Sequence, residues 1–96
     1  MPYMIMTRDK PGKEEVRAAY RAAHYAFLRS RQNMLIASGG LQDDAGQFNG
    51  GLMVIDVETR EEAEEFLRTD PFHEAGLFED VTVSRWKQAF LDRAER

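Results

Sequence analysis

The sequence predicts a small α+β domain of the split β-α-β, or ferredoxin-like, class: β-α-β-β-α-β, an antiparallel sheet with two helices on one face. Three observations predict it. The chain has 96 residues, the length of a single domain over 1–96. Two stretches with apolar residues at three- and four-residue steps alternate with short apolar runs. Glycine pairs at 39–40 and 50–51 close one central run and open the next, which links the two strand-helix-strand units.

Residues 2–8 read as the first strand, apolar and ending in the loop chemistry of Thr7-Arg8-Asp9-Lys10-Pro11-Gly12. Residues 13–32 read as the first helix, with Val16, Tyr20, Ala23, Phe27 and Leu28 on one face and His24 sharing it. Residues 34–38 are the second strand, and a polar loop from Gln42 to Asn49 leads to the third strand through Leu52–Val57. Thr59 and Glu62 have the spacing of a capping box, which starts a second helix over 60–69. Asp70-Pro71 ends that helix, because the residue before proline is pushed out of the helical region. A short turn through Phe72–Ala75 stops at Gly76, and residues 81–86 form the fourth strand. The core therefore spans 2–87, and the tail over 88–96 is expected to be helical, since Phe90 follows Trp86 by four.

A sheet with one wet face should alternate apolar and polar residues. The third strand instead sets Leu52 and Val54 against Met53, Ile55 and Val57, and the first sets Tyr3 and Ile5 against Met4 and Met6. Two helices on one face leave the other uncovered. The expected cover is a second copy of the chain, a homodimer packed sheet on sheet.

Composition narrows the function classes. The net charge is −4, which leaves no basic stripe for phosphates and argues against nucleic acid as partner or a polybasic membrane anchor. There is no cysteine, so disulfide, thiolate and sulfur-ligated metal chemistry are out of reach. That fits the cytoplasm. No apolar run approaches the roughly 20 residues of a membrane span. The two histidines lie 49 positions apart with no ligand spacing, so no metal is expected. Ser38 and Ser84 lack a nucleophile elbow. The glycine pairs are no phosphate loop, because Gly-Lys-Ser/Thr is missing.

His24 is left as the main candidate for chemistry. An imidazole can give or take a proton near neutrality, although a histidine on an apolar helical face also reads as a packed core residue. Three carboxylates could partner it: Asp70, whose simplest role is to cap the following turn with Pro71 at its first position, and Asp43 or Asp44 in the central loop.

The set Ala22-Ala23-His24, Ala37-Ser38-Gly39-Gly40, Gly50-Gly51-Leu52, Asp70-Pro71-Phe72 and Ala75-Gly76-Leu77-Phe78-Glu79 resembles the YciI-like (YCII-related) family across about residues 2–87. The resemblance implies a dimeric α/β-barrel-type fold and an active site on a histidine and an aspartate, which by position are His24 and Asp70. It implies a small cofactor-independent enzyme of the lyase or isomerase kind, using acid-base steps on a small, aromatic or lactone-like metabolite. The pocket would lie between the first helix and the sheet or between subunits, with Tyr3, Tyr20, Phe27 and Phe72 as substrate-binding walls. One departure is Gly39-Gly40-Leu41, where many members carry proline after the small residue and glycine. The alternative is a non-catalytic dimeric module that binds a small molecule or assists another protein, in which His24 is structural.

Overall fold

The computed structural model describes every residue, Met1–Arg96. The elements run β1 (Tyr3–Asp9), α1 (Glu14–Ser30), a single 3₁₀ turn (Gln32–Met34), β2 (Leu35–Gln42), β3 (Phe48–Ile55), α2 (Arg60–Arg68), α3 (Pro71–Glu74), β4 (Phe78–Arg85), β5 (Phe90–Leu91) and β6 (Ala94–Glu95). The main sheet has the order β2-β3-β1-β4 with every neighbour antiparallel. This is the expected ferredoxin-like arrangement.

Local chemistry accounts for the boundaries. Glu14 and Glu15 sit in the first turn of α1, where negative charge favours the helix dipole. Thr59 closes the capping box with Glu62 at the start of α2. Asp70 caps α3, Pro71 occupies its first turn, and Gly76 at φ 74° turns the chain into β4. The central loop is shorter than the sequence suggests. Asp43 Oδ1 accepts from the amides of Ala45 and Gln47, and Gly46 takes φ 86°, so a tight turn lets β2 and β3 extend toward it on both sides.

Ile5, Ile55, Ala63 and Leu77 are wholly excluded from water, and Phe66 nearly so. The core thus lies between the helix-facing side of the sheet and α2, joined by the C-terminal end of α1. Phe27 meets Phe66 edge-on at 5.0 Å, and Leu28 is the one buried residue of α1. Along the rest of α1 the space against the sheet is a cavity.

Two expectations are corrected. The tail is not helical: β5 and β6 pair as a small hairpin through Asp92 and Arg93, both at positive φ. A single four-residue coincidence of Trp86 and Phe90 does not establish a helical face. The inward face of α1 is also rotated by one residue. Tyr20 is 44% exposed and Ala23 is exposed, while Arg17, Arg21, His24 and Leu28 face the sheet side. Hydrophobic periodicity finds a dry face, and most of this one borders a cavity. No helix is long and apolar enough to cross a membrane.

Candidate functional site

The cavity holds about 430 Å³ and lies between α1 and the β2–β3 strands, closed at one end by α3. His24 and Asp70 meet there. His24 comes from the middle of α1, and Asp70 from the turn between α2 and α3. The separation of His24 Nδ1 from Asp70 Oδ1 is 2.9 Å. Asp70 is fully buried, and the His24 side chain is 16% exposed. An ionised carboxylate only accepts, so Nδ1 carries the hydrogen and donates it. In the neutral ring the lone pair is then on Nε2, on the edge turned away from Asp70.

The same Asp70 oxygen accepts from the Phe72 backbone amide at 2.9 Å, so capping and imidazole orientation share one atom. Asp70 Oδ2 is buried without a partner. Asp43 and Asp44 are in the β2–β3 turn, where Asp43 caps the turn, and neither bonds to His24.

Phe72 is buried and stacks on His24, with centroids 4.2 Å apart and planes at 18°. The Arg17 guanidinium lies 4.8 Å from the other partner in this stack, the Phe72 ring. The imidazole and the guanidinium thus both rest against the Phe72 ring. Arg17 is itself fixed: Nε donates to Asp9 Oδ2 at 2.7 Å, and Nη2 to Asp9 Oδ1 and the Gly50 carbonyl at 3.1 Å each. This clamp ties α1 to β1 and β3, and through Phe72 it steadies the face of His24.

Of the four residues expected as walls, Phe72 lines the cavity. Tyr3 is in the core under α2, Tyr20 faces solvent, and Phe27 packs on Phe66. The walls that the sequence reading missed are Arg17, Arg21, Thr7, Phe48 and the glycine segments. Thr7 carried a readable signal: it continues the inward series Tyr3, Ile5, yet is polar.

A family model described as the YCII-related domain matches residues 1–87. An uncharacterised protein of Haemophilus influenzae is 33% identical over 99 residues, covering 94% of this chain and all of that protein. Protein YciI of Escherichia coli is 31% identical over 98 residues with the same coverage. Among solved structures, the 5-chloro-2-hydroxyhydroquinone dehydrochlorinase of Burkholderia phenoliruptrix, in complex with 2,5-dihydroxybenzoquinone, is 32% identical. It has a TM-score of 0.84 and covers 91% of this chain and 94% of that one. An antibiotic biosynthesis monooxygenase structure at 13% identity and TM-score 0.53 shares the fold alone; it covers 91% of this chain and 96% of its own.

Proposed function

The chain belongs to the YCII-related family, and from that premise we propose that it is a small acid-base enzyme of the lyase or isomerase kind acting on a small ring compound. The 2.9 Å contact between His24 Nδ1 and Asp70 Oδ1, beside a cavity that His24 lines, carries this reading. His24 Nε2 takes a proton from a hydroxyl or a ring carbon of the substrate. The imidazolium that forms is stabilised by the Asp70 carboxylate, whose ion-pair partner is His24. His24 then returns the proton to the leaving group or to a second ring position. A lyase expels the leaving group, and an isomerase keeps it. The dehydrochlorinase relative supports the choice of ring substrates, since its name and bound ligand are both oxygen-substituted six-membered rings. The working unit in this reading is a homodimer joined through the outer face of the sheet.

The test is a screen of hydroxylated ring compounds and lactones that includes 5-chloro-2-hydroxyhydroquinone, with chloride release and absorbance as readouts. Turnover by the wild type should be lost in His24→Gln and His24→Ala, with melting temperatures within a few degrees of wild type. Turnover that survives His24→Gln would exclude the mechanism. A large loss of stability in both variants, with no turnover by the wild type across the panel, would make His24 a structural residue of a binding module.

A further inference from the structure

Opposite His24 the cavity is floored by the sheet, and one row of that floor has almost no side chains. Gly40 pairs with Gly51, Gly51 with Thr7, and Thr7 with Val81, so the row crosses β2, β3, β1 and β4. Thr7 is on the helix-facing side, because it follows the core residue Ile5 by two. The neighbouring Gly51 presents bare backbone on that same side, where a Cβ would lie 3.4 Å from Thr7 Oγ1; over Gly40 the Phe48 ring takes the place of a side chain, 2.6 Å from where a Cβ would be, and closes the far end.

Thr7 is 2% exposed and its hydroxyl makes no side-chain hydrogen bond within the protein; Oγ1 keeps a little access, since Asp70 Oδ2 is the one fully buried atom left unpaired. A nearly buried hydroxyl gains from any partner that reaches it. Its remaining access is into the cavity, which Thr7 lines. From Gly40, under the Phe48 ring, to Thr7 is two strand spacings, about 10 Å. A six-membered ring would lie over Gly51, with its edge against the Phe48 ring and an oxygen toward Thr7. The His24 and Phe72 side of the cavity would cover its upper face.

We propose that the floor over Gly51, between the Phe48 ring and Thr7, is the subsite for a flat ring bearing a hydroxyl or oxo group, with the Thr7 hydroxyl bonded to that oxygen. The proposal rests on the reading above only in placing the ligand in the cavity that His24 lines; it does not require His24 to be catalytic.

Titration calorimetry with 2,5-dihydroxybenzoquinone, alongside amide NMR shifts, tests it. The wild type should bind, with shifts at Thr7, Gly40 and Gly51. Thr7→Val keeps the shape and removes the hydroxyl, and should weaken binding about tenfold. Thr7→Ser should bind within about twofold of wild type. Gly51→Ala places its methyl at an ordinary contact distance from Thr7, so it should fold, and by raising the floor it should weaken binding at least tenfold. Failure of the wild type to bind the probe, or wild-type affinity in Thr7→Val, overturns the subsite. The two readings fail separately. Turnover that survives His24→Gln removes the catalytic role and leaves the subsite, whereas unchanged binding by Thr7→Val removes the subsite and leaves the catalytic role.

Discussion

At Asp70 one carboxylate oxygen holds both the start of α3 and the His24 ring, so substitutions there separate two effects. Asparagine caps a helix about as well as aspartate and can still accept from Nδ1, but it carries no charge to balance an imidazolium. Asp70→Asn should therefore melt within a few degrees of wild type while turnover falls about a thousandfold or more. Asp70→Ala should lose turnover and also about 1 kcal/mol of stability in urea denaturation, from the missing cap alone. Equal turnover by Asp70→Asn and wild type would show that the charge is not used. These two residues were legible because histidine and Asp-Pro are rare and chemically distinct in this chain. Thr7 and Arg17 were not, because a threonine in a strand and an arginine on a helix are common. Only the surroundings make them informative: Thr7 opens onto the cavity, and Arg17 bridges Asp9 and Phe72, the second of which lies 55 positions away and does not show in spacing.

Among the elements, the reading of α1 and of the glycine strands diverged for the same physical reason. The binary pattern of a helix reports what is dry. In α1 the dry residues are few, and the sheet-facing line is Arg17, Arg21 and His24 along a cavity. The glycine pairs read as sites of tight turning and close backbone approach; they lie within β2 and β3, where Gly50 makes the close approach and no turn is needed. Their separate roles predict different tolerances. Gly50 faces β1 so closely that a Cβ there would collide with the Thr7 carbonyl, which is backbone and cannot swing aside. Gly50→Ala should thus destabilise the domain by about 3 kcal/mol, at the upper end of overpacking costs. Gly51→Ala, one residue on, should change stability little. Chemical denaturation of the two variants side by side measures the contrast, and equal stabilities would contradict the close packing of β1 on β3 at this point.

The whole molecule has a surface that its own chain does not complete. Strand alternation places Met4, Met6, Leu52 and Val54 on the face opposite the helices; Met4 and Met6 are half-buried, and Leu52 is 37% exposed. Both helices and the cavity occupy the other face; on this one Val54 is 7% exposed, while Leu52 stays open. A domain of this size buries a modest share of its surface, and a sheet-on-sheet interface would add apolar burial at about 25 cal/mol per Å². The face is also nearly free of charge, the composition of an interface centre rather than of a solvated sheet. The expected state in solution is a dimer. Light scattering behind size-exclusion chromatography should give twice the 11.1 kDa chain mass at micromolar concentration. Leu52→Asp, on the exposed part of the face, should shift it to monomer and lower the melting temperature, because two buried carboxylates would oppose each other across a two-fold interface. The β5–β6 hairpin packs as a separate two-stranded sheet, so removing residues 88–96 tests whether the tail also takes part. If the sheet face alone holds the dimer, the truncated chain stays dimeric. A wild-type monomer at these concentrations would instead mean that the apolar outer face is tolerated in water.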